Sequence, residues 1–329
     1  MVQRRSARHV RCSQQDMVSR NGLRSTLSAL VVVLAVSANA QQRSRASDST
    51  STTARAEMLA RQVLLDRAGL SPGEIDGLGG SNTQRAIEAF EREKGQSIAD
   101  LAGTAAVPAT IRYVVTAEDA DTPIVGAIPE DMMAKAKLTR LDYTSHLEMI
   151  AERFHASPAL LRRLNPRLTF AKGAELVVPN VDVVSTAESK PLPDIVVRVS
   201  KQLSALTVTD GAGGVLMYAP VTSGSEHDPL PLGQWTVTGV SRNPSFNYNP
   251  DLFWDAEPSH AKARIPPGPN GPVGVVWIDL SKPHYGIHGT PEPGSVGHTS
   301  SHGCVRLTNW DALRLAAMVG KGTRVEFIE

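Results

Sequence analysis

The residues of this sequence that could do covalent chemistry lie close together near its C-terminal end. A cysteine, Cys304, follows four histidines at positions His284, His288, His298 and His302. A thiol is mostly protonated at neutral pH, so a nucleophilic cysteine needs a nearby base, and the imidazole of histidine acts as a base in this pH range. The pattern therefore indicates either a cysteine nucleophile with a histidine base or a metal site built from histidine and cysteine.

The composition of the loop argues against the metal site. Imidazole and thiolate both suit zinc, and the spacing of His284 and His288 is repeated by His298 and His302. Such a pair directs both rings to one ion on a helix, but the stretch HYGIHGTPEPG contains three Gly and two Pro and cannot stay helical. We therefore expect no metal and no other cofactor, which disfavours a zinc-dependent hydrolase.

Covalent catalysis accounts for the same residues more simply. His288 and Cys304 are sixteen residues apart, which allows them to lie on neighbouring strands joined by the intervening loop. Gly303 permits a tight turn directly before the cysteine, and this turn would bring backbone N–H groups to a reacting carbonyl. N–H donors from Gly303 and Cys304 would stabilise a tetrahedral oxyanion. The sequence thus predicts a cysteine nucleophile with a histidine base.

The other cysteine, Cys12, lies in a segment that we expect to be removed. Residues 1–40 contain basic residues, the apolar run Leu27–Val36 and a terminal Ala-Asn-Ala, which together predict a secretory signal peptide. Its cleavage would leave Cys304 as the only thiol of a protein in the periplasm or cell envelope. The apolar run is too short to span a bilayer, so no stable membrane insertion is expected after cleavage. The formal net charge of +1 does not indicate nucleic acid as a partner.

The elements that must position these residues form a mainly β domain at the end of the chain. Stretches such as IVVRVSKQLSALTVTDG alternate apolar and polar residues, as half-buried strands do. One helix, Trp310–Val319, is expected behind Asn309 as its cap. The predicted segments are a signal peptide at 1–40, a flexible leader at 41–54, a small helical domain at 55–98, an extended connector at 99–138, an α+β module at 139–182, a linker at 183–194 and the mainly β domain at 195–329.

Three stretches of the chain resemble known families. The segment IHGTPEPGSVGHTSSHGCVRLTNWDAL resembles the active-site segment of the L,D-transpeptidase (YkuD-type) catalytic domain, whose pattern is His-Gly, a loop and then Ser/Thr-x-Gly-Cys. The stretch AGLSPGEIDGLGGSNTQRAIEAFEREKG resembles a small peptidoglycan-binding domain, and LLRRLNP with GAELVVP resembles a LysM module. These resemblances imply a multidomain protein with a YkuD-like β-sandwich catalytic domain, preceded by a peptidoglycan-binding-like helical domain and a LysM-like module.

The transpeptidase resemblance implies a role for each residue of the motif. Cys304 would be the nucleophile, and His288 would accept and donate the proton. The carbonyl of Gly289 would hold the other ring nitrogen of His288, which is the orienting role that an aspartate has in a Ser-His-Asp triad. His302 and Gly303 would line the oxyanion site.

Other side chains are candidates for binding the substrate. Arg306 would bind a substrate carboxylate, with a structural ion pair as the alternative. The long Pro-rich segment 241–271 shows no strand alternation, and we interpret it as a substrate-binding flap. Further candidates along the substrate groove are Ser301, Tyr285, Tyr248 and Trp254.

The resemblance also implies a reaction and its partners. Cys304 would attack a peptidoglycan stem tetrapeptide, release D-Ala and form a thioester. An amine of another stem or of an envelope protein would then resolve the thioester and form a cross-link. Water as acceptor would make the protein an L,D-carboxypeptidase, and a non-catalytic wall-binding adaptor is the alternative from another class. The expected partners are stem peptides and glycan strands.

Overall fold

A computed structural model describes residues 51–104, 107–167, 169–187 and 189–329. The predicted signal peptide at 1–40 and most of the predicted leader at 41–54 lie outside these residues. Residues 53–329 form one compact unit, so the segments expected to be separate domains pack together. None of the helices in the described ranges is long and apolar enough to cross a membrane.

The unit begins with helices, as predicted. Helix α1 includes residues 53–67, α2 is Ser81–Lys94 and α3 is Ile98–Thr104. Helix α2 begins after Gly80, and no side chain caps its first turn. The side-chain amide of Asn82 donates to the carbonyl of Val296 in the C-terminal domain, which we define as residues 195–329.

A second group of elements follows in the N-terminal part of the unit, which we define as residues 53–182. Its strands β1 and β2 pair antiparallel, and each directs apolar side chains toward buried residues of the helices between them. The segment 99–138, predicted to be an extended connector, contains most of α3, strand β1 and two further short helices, so it is not extended throughout. The elements are β1 Thr110–Val114, α4 Ala117–Asp121, α5 Met132–Lys135, α6 His146–Arg153, α7 Pro158–Leu164 and β2 Glu175–Pro179.

Residues 195–329 form the mainly β domain that the alternation predicted. Eight strands make one sheet in the order β11-β10-β9-β6-β12-β3-β4-β5. A single helix, α8, packs its apolar side chains against this sheet. The elements are β3 Val196–Ser200, β4 Ala205–Thr209, β5 Val215–Pro220, β6 Gly233–Arg242, β7 Phe246–Tyr248, β8 Ala263–Ile265, β9 Val276–Leu280, β10 Gly286–His288, β11 Val305–Arg306, α8 Asn309–Ala316 and β12 Arg324–Ile328.

The sheet is curled and continuous, which corrects the predicted β-sandwich. Strand β6 pairs with β12 along its first half and with β9 along its second, and the register shifts between Val237 and Gly239. Such an irregularity lets a strand bend and turn from one half of a sheet to the other. Thr222, just after β5, bridges to Arg306 of β11 at the opposite edge. The two edge strands therefore meet, and the sheet closes around its core.

Three local predictions also need correction. Helix α8 begins at Asn309 and is capped by Thr308, whose hydroxyl accepts from the Asp311 N–H, so Asn309 is not the cap. The segment 241–271 is not free of strands, because β7 and β8 pair within it as a hairpin. Tyr248 of this hairpin is buried, so it is not part of a substrate groove.

Candidate active site

Strands β10 and β11 bring the residues of the motif together. They pair in parallel, with Ile287 opposite Val305 and His288 opposite Arg306. Cys304 directly precedes β11. Side chains alternate along a strand and neighbouring strands lie about 4.8 Å apart, so Arg306 and His288 face the same side of the sheet. Cys304 lies in the bend two residues before Arg306, and the charge of Arg306 acts on the pKa of both Cys304 and His288, which places the three groups together. His288 and Cys304 are sixteen residues apart in the sequence. The pairing of β10 with β11 thus brings them close together in the structure.

The orientation of His288 is fixed by the residue that follows it. Its Nδ1 lies 2.7 Å from the carbonyl oxygen of Gly289. A carbonyl only accepts, so Nδ1 carries the proton in this hydrogen bond and Nε2 is the free basic nitrogen of the neutral ring. The ring also stacks on Trp277 of β9, with centroids 5.4 Å apart and planes at 20°. The side chain is buried, and these two contacts hold its ring in one position.

Burial keeps both reactive groups neutral near pH 7. Burial lowers the pKa of His288 to about 4; the Gly289 carbonyl opposes this, and the charge of Arg306 adds to it. Burial raises the pKa of the Cys304 thiol, while the backbone of Gly286 and the charge of Arg306 act to lower it. A neutral imidazole can accept the thiol proton. The arrangement therefore favours deprotonation of the thiol during attack over a preformed ion pair.

The turn before Cys304 leaves backbone donors free. Gly303 has φ +100°, a value that side-chain-bearing residues rarely adopt, and a Cβ there would lie 2.8 Å from a ring carbon of Tyr285. Among the described residues, no acceptor is hydrogen-bonded to the N–H groups of His302, Gly303 or Cys304. Unpaired N–H groups beside a nucleophile can bind a developing oxyanion.

Tyr285 and His284 flank the nucleophile on its other side. The ring of Tyr285 packs against Gly303, and Lys282 Nζ lies 5.6 Å from the ring centre. Burial, together with the charges of Cys304 and Asp228, raises the pKa of the Tyr285 hydroxyl. The Cys304 thiol donates to the carbonyl of His284 at 3.8 Å. Tyr285 is thus placed where a substrate group at the nucleophile would meet its ring.

Arg306 forms no ion pair within the described ranges of the chain. Its backbone N–H donates to the Thr222 carbonyl at 2.8 Å, so it closes the sheet through its main chain. Burial lowers the pKa of its guanidinium, while Cys304 and Glu292 act in the opposite direction. The structure therefore does not contain the structural ion pair that was the alternative for this side chain, and the charge acts on the pKa of the nucleophile.

Ser301 is not placed as the substrate-binding candidate that the sequence suggested, and His302 can line the oxyanion site only through its backbone. The hydroxyl of Ser301 is buried and donates to the carbonyl of Cys304 at 2.6 Å, so it stabilises the turn and is not exposed to a substrate. The His302 ring turns toward the long segment 241–271, where Nε2 is 2.8 Å from Asp255. Only the backbone of His302 is placed to serve an oxyanion. Trp254 of the same segment is 62% exposed.

His284 and His298 are the two remaining histidines of the motif. Within the part of the chain that the structure describes, no group of three or more His, Cys, Asp or Glu side chains is arranged to hold a metal ion. His284 and His298 are both exposed on loops, and His298 lies against Asn82 of helix α2. In this part of the chain, the histidines with the repeated spacing therefore do not form one set of metal ligands.

Two residues at the site were not identified from the sequence. Trp277 supports the His288 ring, and its position opposite His288 follows from strand pairing alone. Asn309 directs its Oδ1 against the backbone of Gly289, where a Cβ would lie only 2.2 Å away. Its place just before a helix suggested a cap, and no local signal distinguishes a cap from a side chain that contacts another loop.

The comparisons with known proteins match the C-terminal domain to one family. A family model described as the L,D-transpeptidase catalytic domain (YkuD) matches residues 193–327. A Bacillus subtilis protein named L,D-transpeptidase YkuD is 31% identical over 185 residues, covering 54% of this chain and 91% of that protein. A Bacillus licheniformis protein of the same name is 56% identical over 182 residues, with the same coverage of 54% and 91%.

Solved structures add a weaker similarity. The L,D-transpeptidase from Mycobacterium smegmatis is 19% identical, with a TM-score of 0.33 over 47% of this chain and 63% of that chain. A TM-score this low carries no argument about the fold or the site. The two Bacillus relatives, in contrast, are covered over 91% of their length, which confirms the resemblance found in the motif. The chain belongs to the L,D-transpeptidase family with the YkuD catalytic domain.

Proposed function

We propose that this protein is a cysteine-dependent L,D-transpeptidase acting on peptidoglycan stem tetrapeptides. The observation that carries the proposal is the hydrogen bond from His288 Nδ1 to the Gly289 carbonyl, because it leaves Nε2 as a base close to Cys304. Family membership supports the substrate class. The neutral thiol and imidazole support a general-base mechanism.

The first half of the reaction forms a thioester. His288 Nε2 takes the Cys304 proton as the sulfur attacks the carbonyl carbon between the L-centre of a diaminopimelate-type residue and D-Ala. The N–H groups of Gly303 and Cys304 stabilise the resulting oxyanion. When the intermediate collapses, the C–N bond breaks, the His288 proton passes to the leaving amine, and D-Ala departs.

The second half transfers the acyl group to an amine. An amine of another stem peptide or of an envelope protein attacks the thioester carbonyl and gives up a proton to His288. The C–S bond breaks and Cys304 regains its proton, so the enzyme returns to its starting state. Arg306 and Tyr285 bind the donor stem beside the nucleophile. No metal or cofactor takes part in either half.

The test is incubation with tetrapeptide muropeptides, followed by mass spectrometry of the intact protein and of the products. Wild type should gain an acyl group at Cys304, release D-Ala and yield cross-linked dimers. Cys304→Ala should form no adduct, and His288→Ala should slow acylation about 100-fold or more. His298→Ala is the matched control and should act like wild type. Absence of both the adduct and free D-Ala with wild type would refute the proposal, and tripeptide without dimers would indicate water as acceptor.

The proposal extends to the N-terminal part and to the location of the protein. Strands β1 and β2 with α6 and α7 between them support a LysM-like module with inserted elements, and α1 to α3 support a peptidoglycan-binding-like unit. We propose that both bind the wall outside the cytoplasm after export. The Cys304→Ala protein should sediment with purified sacculi and should fractionate with the periplasm when it is expressed from its full-length gene. Failure to sediment would leave these elements with a structural role alone.

A further inference from the structure

Helix α6 of the N-terminal part contacts the C-terminal domain next to the site. Oε2 of Glu152 accepts a hydrogen bond from Asn309 Nδ2 at 3.0 Å. Oε1 of the same carboxyl accepts one from the Tyr143 hydroxyl at 3.1 Å. Glu152 and Asn309 are 157 residues apart in the sequence, so this contact exists only once the N-terminal part has packed against helix α8.

Asn309 is held between two glycine backbones, one of which leads directly to His288. Its Oδ1 accepts from the Val275 N–H at 3.1 Å. A Cβ at Gly274 would lie 2.0 Å from this oxygen and a Cβ at Gly289 would lie 2.2 Å from it, so the amide contacts both backbones. The carbonyl of Gly289 is the acceptor that orients His288 Nδ1. A displacement of the Asn309 amide would therefore move the group that orients the base.

We propose that Glu152 is a positioning residue for acyl transfer: it fixes the Asn309 amide, and that amide holds Gly289 in the place where its carbonyl orients His288. The inference rests on the proposed function, because it concerns the same reaction. Neither Glu152 nor Asn309 is proposed to touch the substrate. The one hydrogen bond between Glu152 and Asn309 thus connects the packed N-terminal part with the geometry of the base.

The electrostatic surroundings of Glu152 support a role in positioning Asn309 and not merely in filling space. Burial raises the pKa of Glu152 to about 7, with Asn309 and Tyr143 acting against that rise. No Lys, Arg or His in the described ranges forms an ion pair with this carboxyl. A buried carboxyl without a cationic partner is unfavourable compared with an apolar side chain of similar size. An apolar side chain, however, could not accept a hydrogen bond from Asn309.

The experiment compares three variants of the full chain. Glu152→Leu removes the acceptor and keeps most of the volume. Glu152→Gln is the conservative variant, because its carbonyl can accept from Asn309 while its amide donates to Tyr143. Tyr143→Phe is the matched control, since it removes the other hydrogen bond to the same carboxyl and leaves Asn309 untouched.

Two readouts separate positioning from stability. The first is the rate constant for acylation of Cys304 by a carbapenem at saturation, together with the half-saturation concentration. The second is the set of imidazole resonances of His288 in selectively labelled protein, which report the Nδ1 hydrogen bond. For Glu152→Leu we expect the rate constant to fall about 10- to 100-fold, the half-saturation concentration to stay constant and the His288 resonances to shift. Glu152→Gln and Tyr143→Phe should resemble wild type in both readouts.

A second pair of variants keeps the test decisive if Glu152→Leu does not fold. Asn309→Asp places two carboxyl groups against each other, whereas Asn309→Asp combined with Glu152→Gln restores a donor and an acceptor with reversed direction. The Pro269 carbonyl accepts a hydrogen bond from Asn309 at 3.2 Å, and it would face the introduced carboxyl in both variants. The effect of losing this hydrogen bond therefore cancels when the two variants are compared. Recovery of the rate and of the His288 resonances in the double variant supports the proposal.

The outcomes distinguish this inference from the proposed function. A folded Glu152→Leu protein with an unchanged rate and unchanged His288 resonances would overturn the positioning role, as would a double variant that recovers neither. If wild type is never acylated, the proposed function fails. In that case the His288 resonances of the same variants still decide whether Glu152 positions the ring.

Discussion

At the scale of single residues, the reactivity of this site depends on where protons lie before the reaction starts. Burial acts on both partners, since it lowers the pKa of His288 to about 4 and raises that of Cys304. The charge of Arg306 lowers both pKa values, which favours the thiolate and disfavours the imidazolium. The resting pair is therefore a thiol beside a neutral imidazole. Such a pair is protected from unwanted reactions because the thiolate forms only as the carbonyl is attacked.

The pH dependence of acylation follows from these shifts. His288 acts as a base only when it is neutral, so the carbapenem acylation rate should rise with pH through an apparent pKa of about 4 and then reach a plateau. The charge of Arg306 lowers the pKa of His288, so Arg306→Gln should shift the rising part of the rate–pH curve to higher pH. Stopped-flow or mass-spectrometric rates across this range provide the measurement. If the rate instead rises through a pKa of about 6.5, the ordinary value for an imidazole, the His288 ring is hydrated and not buried.

At the scale of secondary-structure elements, the turn between β10 and β11 decides whether the site is formed. Two features of the structure require glycine at position 303. Its φ of +100° would strain any residue with a side chain, and a Cβ there would also collide with Tyr285. Gly322 has a similar φ of +94°, but a Cβ there would meet no atom within 4 Å. The two glycines therefore separate the effect of backbone strain from the effect of crowding at the nucleophile.

Substitution of each glycine by alanine should give different results. Gly322→Ala should lose about 1 kcal/mol of unfolding free energy and keep its activity, because only backbone strain is added. Gly303→Ala should lose about 1–3 kcal/mol and most of its Cys304 acylation, because the turn and its N–H donors must shift. Denaturant unfolding and carbapenem acylation measure the two effects. Equal acylation rates in both variants would mean that the N–H groups at Gly303 and Cys304 do not serve the reaction.

The elements also show which parts of the fold could be predicted from the sequence. The alternating residues around β3 and β4 indicated strands correctly, and His288 lies on β10 beside strand β11, which begins directly after Cys304. Strands β7 and β8 were missed because each has three residues, too few for an alternation to be recognised. Strand β1 was missed because its partner β2 lies 61 or more residues further along the chain, and no local pattern reveals a pairing over that distance. The role of Asn309 was missed for the same reason.

At the scale of the whole molecule, polar side chains buried at a junction connect helix α1, the loop that follows helix α6, and helix α8. The carboxyl of Asp66 is 2.9 Å from His155 Nδ1 and 3.2 Å from Arg314 Nη2. Burial alone would raise the pKa of Asp66, but the charges and hydrogen bonds of His155 and Arg314 lower it below its ordinary value. The His155 ring also stacks on Trp310 of α8, with centroids 5.2 Å apart. The N-terminal part is therefore integrated into the folding unit of the C-terminal domain.

This integration predicts that a change in helix α1 destabilises the entire unit. Asp66→Ala leaves Arg314 buried without its nearest carboxyl, so the free energy of unfolding should fall by about 3–5 kcal/mol. Arg67→Ala is the matched control, because the neighbouring Arg67 pairs with Asp182 at 3.2 Å on the surface and such pairs contribute about 1 kcal/mol or less. Thermal unfolding followed by both circular dichroism and carbapenem acylation should show one coincident transition in each protein. If Asp66→Ala loses only the signal of the helices while acylation of Cys304 persists to the wild-type temperature, the N-terminal part unfolds on its own and the junction does not stabilise the active site.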